Sequence, residues 1–281
     1  MKIYMMTDLE GVAGVTDFED RVTDSHDNHE TRMRMRRLLT GEVNAAIEGL
    51  YEGGATQAIV NDGHGAGYTI DFEQLDPRAQ IIHGHERPVW LPLLDETCDA
   101  TILIGAHAKA SSPPGTAYHT MSKSVKDWSI NGISFGEMGL QALIAGHYGV
   151  PMIFVSGDWH ACREIGELIP GIVTAAVKRG LSRRSAVSWP AEKAKQMIRA
   201  GVKDALRKRS EIQPLRFEPP LLFRDERYDE TWAKPTGGAD TRIIDHNTRE
   251  IKADDIPDLL QKLYGYPKDY RVPSLADEEN G

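Results

Sequence analysis

Only two cysteines, Cys98 and Cys162, occur in 281 residues. That is too few for a disulfide scaffold, and they lack the paired spacing of a zinc ribbon. A metal bound by this chain must therefore use oxygen and imidazole. No apolar run is long enough to span a bilayer. The opening segment Met1 to Met6 meets Asp8 at once, without the apolar core or small-residue cleavage site of a signal peptide. The expected setting is the cytoplasm, with no membrane partner. Basic blocks that could track phosphates are missing as well, and a net charge of −9 argues against nucleic acid. The expected partner is a small molecule. No internal repeat is visible.

What is present reads as one large domain with an appendage. Short apolar runs over Lys2–Thr7, Gln57–Asn61, Ala79–Ile82, Ala100–Ile104, Pro151–Val155 and Ile172–Val177 have the character of buried strands. Helical stripes run from His29 to Leu50, from Glu137 to near Gly149, and from Ala191 to Arg209. Asn131-Gly132, between Trp128 and Ser134, is a tight-hairpin signature. The alternation predicts an α/β fold with a mostly parallel central sheet and helices on both faces over residues 1–210. A smaller C-terminal α+β region is expected over 211–264, with strands in Leu215–Phe223 and Thr241–Ile251 and a helix from Asp255 to Leu263. Residues 265–281, rich in Pro, Asp and Glu, read as a disordered tail.

The chemistry gathers where runs end. Asp8-Leu9-Glu10-Gly11, Asp62-Gly63-His64-Gly65, Gly105-Ala106-His107-Ala108 and Gly136-Glu137-Met138-Gly139 each place an acid or imidazole beside glycine. Asp8 and Glu10, two apart in an extended segment, project to one side. In open α/β sheets the binding crevice lies beyond the carboxyl ends of the strands, so one crevice can collect Asp8, Glu10, His64 and His107. With Glu137 these make three carboxylates and two histidines, too anionic for one structural zinc but suited to two divalent ions sharing a carboxylate. Such a pair acidifies a water and polarises a carbonyl or phosphoryl oxygen, so hydrolysis is expected. Mixed nitrogen and oxygen ligation favours Zn2+, two per chain, with Mn2+ or Co2+ as substitutes. The ligand set leaves open an amidase acting on a non-peptide or acyl-amide substrate. It leaves open a phosphatase less readily, since no glycine-rich phosphate cradle or nearby arginine pair stands out. His83-Gly84-His85 reads as surface polar residues, and Arg32, Arg34, Arg36 and Arg37 as a solvated helix face.

These motifs, with His119-Thr120-Met121, stand in an order and over a span, Met1 to about Ser188, that closely resembles the M55 family of zinc-dependent D-aminopeptidases. The resemblance implies a dinuclear zinc site bridged by Asp8, with Glu10 and His107 completing one ion and His64 and Glu137 the other. It implies a catalytic role for His119, which chemistry favours as a general base or oxyanion donor over the family's nucleophile. It also implies release of N-terminal D-amino acids, D-alanine above all, from short peptides, and assembly into ring-shaped homo-oligomers. An aminopeptidase beside a cationic centre must offer a carboxylate to the substrate ammonium or let an unprotonated amine ligate a metal. Asp62 and Asp158 are the candidates, Asp62 more readily as a support for a histidine ligand. The segment Gly157-Asp158-Trp159-His160 departs from the family's Gly-Asp-Asp-Arg, and an aromatic and an imidazole there are expected to reshape the substrate pocket.

Overall fold

The computed structural model describes residues 1–65, 67–229 and 240–271. The expected disordered tail lies outside these residues from position 272 onward.

The first strand, β1 (Lys2–Thr7), pairs in parallel with β2 (Gln57–Asp62) on one side and β4 (Ala100–Ala106) on the other. Outward from β2 lies β3 (Ala79–Ile82); outward from β4 lie β7 (Met152–Asp158), β8 (Val173–Ser182) and β9 (Ser185–Ser188). All neighbours are parallel except the β8–β9 hairpin. β4 and β7 are buried at every residue, as strands covered on both faces must be. The covering helices are α1 (His26–Glu52) packed against α4 (Ala191–Lys208), and α2 (Glu137–His147) packed against α3 (Trp159–Leu168). Ser25 caps α1 by accepting the Asn28 N–H, and the helix stops at Gly53.

A second, antiparallel sheet has the order β11 (Thr241–Ile243), β12 (Thr248–Ala253), β10 (Leu221–Arg227), β5 (Val125–Ile130), β6 (Ile133–Ser134). This sheet draws strands from both sides of residue 210: β5 pairs with β10 from the later part of the chain, and β6, across the Asn131-Gly132 hairpin, pairs with β5. α5 (Ile256–Tyr264) packs on β12 and reaches α2. Among the described residues no helix is long and apolar enough to cross a membrane.

The exits of β1 and β4 are locked together by main-chain contact. Asp8 N–H donates to Ile104 O at 2.8 Å and Gly11 N–H to Gly105 O at 2.7 Å. A side-chain carbon on Gly11 would overlap Ala106 O, and one on Gly105, whose φ is +84°, would overlap Asp8 O. Only glycine allows this approach.

Candidate metal centre

The strand exits bring Asp8, Glu10, His64 and His107 to one place, and the first turn of α2 adds Glu137. Asp8 stands in the middle. Its Oδ1 lies 3.1 Å from His64 Nδ1 and its Oδ2 lies 3.1 Å from His107 Nε2, so each oxygen faces a different imidazole. Glu10 Oε2 is 2.9 Å from His64 Nδ1, and Glu137 Oε1 is 3.4 Å from His107 Nε2. His119 stacks on the His107 ring at 4.1 Å, with its Nε2 3.6 Å from Glu137 Oε1. Two ligand groups result, Asp8 with Glu10 and His64, and His107 with His119 and Glu137. This pairing differs from the division that the resemblance implies, since His64 lies against Glu10 and His107 against Glu137.

Several of these close approaches lack hydrogen-bond geometry. Glu10 Oε2 and His107 Nε2 are buried polar atoms without a hydrogen-bond partner; so is His64 Nε2, which turns towards Glu19 while Nδ1 bonds Asp8 Oδ1 at 3.1 Å. Orphaned buried polar atoms are costly, and convergence of lone pairs on common points is the arrangement that a cation satisfies. The donor set fits zinc in kind: imidazole nitrogen and carboxylate oxygen.

The electrostatics ask for positive charge. Burial opposes ionisation of Asp8, yet His107 and His64 hold its carboxyl well below the usual range. Burial likewise works against protonated His107 and His64, but Asp8 and Glu137 raise the first and Glu10 and Asp8 the second well above the ordinary histidine value. His119 goes the other way, lowered by burial and by the neighbouring His107. Its Nδ1 lies 3.0 Å from Ala117 O, and His107 Nδ1 lies 2.9 Å from Ala108 O. Carbonyls only accept, so Nδ1 carries the proton in each ring and the neutral form presents an Nε2 lone pair inward.

Supports come from residues that no motif flags. Lys178, buried on β8, donates its ammonium to Glu10 O and, at 2.5 Å, to Val15 O, pinning the loop that carries Glu10. Burial pulls that ammonium down to about 8. Glu42 of α1 holds the same loop by accepting the Ala13 N–H at 2.9 Å. Glu19 is buried 3.5 Å from His64 Nε2, clamped by Arg21 at 2.5 Å and Arg32 at 2.9 Å. One arginine of the expected solvated face thus serves the site.

The centre opens into a cavity of about 920 Å³ whose walls include Phe18, Glu19, Trp90, His119, Lys123 and Tyr266. Some expected contributors are engaged elsewhere. The Asp62 carboxylate accepts from Thr69 N–H, Thr69 Oγ1 and Ile70 N–H, which closes its own turn, and it makes no bond to His64. Asp158 accepts from the Thr116, His160 and Gly180 N–H groups and caps α3. Neither carboxylate lines the cavity, and neither do Trp159, which packs against Arg163 and Arg179, or His160, 3.3 Å from Gly180 O. His85 lines the outer wall, exposed, and His83 packs on Phe72; neither joins a ligand group.

Residues 1–264 match the profile of peptidase family M55, D-aminopeptidase. The chain is 33% identical over 267 residues to the D-aminopeptidase of Bacillus subtilis strain 168, which covers 94% of this chain and 95% of that protein. Its fold matches the Zn-dependent D-aminopeptidase DppA from Bacillus subtilis, described as a self-compartmentalizing protease. The TM-score is 0.85 at 31% identity, over 95% of this chain and 96% of that one.

Proposed function

Because this chain belongs to peptidase family M55, the D-aminopeptidases, we propose that it is a zinc-dependent hydrolase releasing N-terminal D-amino acids, D-alanine above all, from short peptides. Two zinc ions per chain would be held by Asp8, Glu10, His64, His107 and Glu137, with Mn2+ or Co2+ able to stand in. The observation that carries the reading is Asp8, whose two oxygens face two different imidazoles at 3.1 Å while orphaned ligand atoms flank it on both sides. When bound, the ions supply Lewis acidity: they polarise the scissile carbonyl and lower the pKa of a water.

The residues of the chain do the rest. His119 acts as the general base, since its tautomer leaves Nε2 free inward and burial keeps the ring neutral. It takes the proton of the attacking water and returns it to the leaving amine, the cycle expected of a base whose pKa is held low. Glu137 fixes the segment that carries His119, because its Oε1 accepts the Met121 N–H at 2.6 Å. Lys178 and Glu42 hold the loop of Glu10 from behind.

Assembly into a ring of identical chains is part of the proposal. It is supported by the self-compartmentalizing relative and by Leu181, Val187 and Trp189, large apolar residues exposed together on the β8–β9 edge. A cytoplasmic setting suits two buried free thiols.

The deciding experiment strips the protein of metal, restores zinc, and compares release from D-Ala-D-Ala, L-Ala-L-Ala, an aryl amide and an aryl phosphate. Zinc-dependent cleavage of D-Ala-D-Ala above the rest is expected. Preference for the aryl amide would move the protein to a general amidase, and preference for the phosphate to a phosphatase.

A further inference from the structure

The cavity is electrically lopsided. Acidic side chains outnumber basic ones along its wall, Asp17, Asp20 and Glu86 adding to the carboxylates of the proposed metal positions, and most of the cations beside them are already committed. Arg21 serves Glu19, Arg184 lies 3.3 Å from Asp17, and Arg87 donates to Gly84 O, Asn61 Oδ1 and Asp62 O. Lys123 differs. Among the described residues it forms no ion pair; its ammonium lies over the Phe18 ring, 3.9 Å from the centroid. The Arg183 guanidinium, 5.5 Å from the same ring, lies closer to Tyr118, 4.8 Å from its centroid, and does not line the cavity. A lysine ammonium on a cavity wall with no carboxylate partner is available to a substrate anion.

Position gives this demand a meaning. Phe18 stands edge-on to His119, with ring centroids 5.4 Å apart. The Lys123 ammonium is therefore no more than about 9 Å from the imidazole assigned to the chemical step. The backbone between them is not slack, for the Met121 N–H is tied to Glu137 and the Ser122 N–H to Thr120 O at 2.5 Å.

We propose that Lys123 reads the free C-terminal carboxylate of the substrate, so that the enzyme selects di- and tripeptides ending in a free acid. This rests on the D-aminopeptidase reading and adds what that reading leaves open, the far end of the substrate. The lengths agree. A reacting carbonyl sits about 3–3.5 Å from its catalytic group, one residue advances the chain by about 3.8 Å, and an ammonium–carboxylate hydrogen bond spans about 2.9 Å. A dipeptide placed at His119 therefore spans about 10 Å, enough to reach an ammonium no more than about 9 Å away, and a tripeptide reaches it when the flexible lysine swings outward. A tetrapeptide overshoots by about 7 Å.

The test uses the zinc-loaded full-length protein, with D-Ala-D-Ala and its C-terminal amide as paired substrates. In the wild type, KM for the acid should be about tenfold below that for the amide with similar kcat, the scale of one charge-assisted hydrogen bond at a partly exposed site. Lys123→Met should raise KM for the acid about tenfold and close the gap between the two substrates. Lys123→Arg should restore most of it. The zinc content of both variants, measured alongside, should match the wild type. Cleavage of both peptides with equal KM, or a Met variant that affects acid and amide alike, overturns the role of Lys123 while leaving the D-aminopeptidase reading standing. Cleavage of neither peptide by the wild type overturns both.

Discussion

Replacing Glu42 by glutamine should remove a loss of stability that the wild type suffers as pH rises. Glu42 is 2% exposed; its Oε1 accepts the Ala13 N–H and its Oε2 has no partner. Burial, opposed only in part by that N–H and by Lys178, pushes the carboxyl up to about 7. In the unfolded chain the group returns to about 4.3. Between these values the folded protein binds the proton and the unfolded chain does not. The contribution of Glu42 is therefore fully present below about pH 4 and is lost as pH climbs through 7. The separation corresponds to roughly 3–4 kcal/mol at about 1.4 kcal/mol per unit, an upper figure because a buried carboxylate recruits some compensation as it ionises. In Glu42→Gln the amide oxygen can still accept from Ala13, and nothing ionises. The amide nitrogen in place of Oε2 adds a pH-independent cost of roughly 1–3 kcal/mol. The variant should thus be the less stable protein near about pH 5 and should gain on the wild type steadily up to about pH 8. Urea unfolding of both zinc-loaded proteins across that range measures the difference, in which the titration of histidines and ligands common to both cancels. A difference that stays constant with pH would refute the reasoning.

Other perturbations address the site itself. Asp8→Ala should lose both ions, whereas Glu10→Ala should weaken one more than the other; elemental analysis of the purified variants reads this directly, and a full load in Asp8→Ala would remove Asp8 from the shared position. His119→Ala should keep its metals and lower turnover by roughly 10² to 10⁴ fold, and loss of an ion in that variant would make His119 a ligand. Glu19→Ala removes the carboxylate facing His64 Nε2, so chelator competition should show one zinc held roughly 10 to 100 fold more weakly. Unchanged competition would leave Glu19 as an anchor for Arg21 and Arg32 alone.

How much of this was legible in the chain depends on how local the signal is. The strand exits at Asp8, His64 and His107 announce themselves, since an apolar run ending in glycine and a polar residue is a local pattern and the parallel sheet then gathers its carboxyl ends. Glu137 is visible as the residue that follows Gly136 and opens a helical stripe. Glu19 is not. It lies in a stretch without periodicity, and only the fold of the 16–25 segment carries it to His64. Lys178 follows directly on the Ile172–Val177 run and belongs to no motif, and its role appears only once β8 lies behind the Glu10 loop. Asp62 and Asp158 mislead for the opposite reason: closeness in sequence to a ligand or pocket segment does not say which way a carboxylate turns, and both turn to nearby backbone N–H groups. The pairing of β5 with β10 joins residues more than 90 apart in sequence, such as Ile130 with Phe223, and no local pattern encodes a partner at that distance. The helix Trp159–Leu168 carries no clear signal either, because its apolar stripe is short and follows directly on a strand.

The interlocked glycines at the exits of β1 and β4 make the centre a gauge. Asp8 and His107 stand on the two chain segments that Gly11 and Gly105 bring into main-chain contact, so their separation is set by atoms that already touch. A gap fixed in this way can neither close nor spread without tearing the hydrogen bonds between the strands. Were zinc held as proposed, a methyl group added at either glycine would push the two chain segments apart and shift Asp8 relative to His107, so the backbone contact is what keeps the two residues in register.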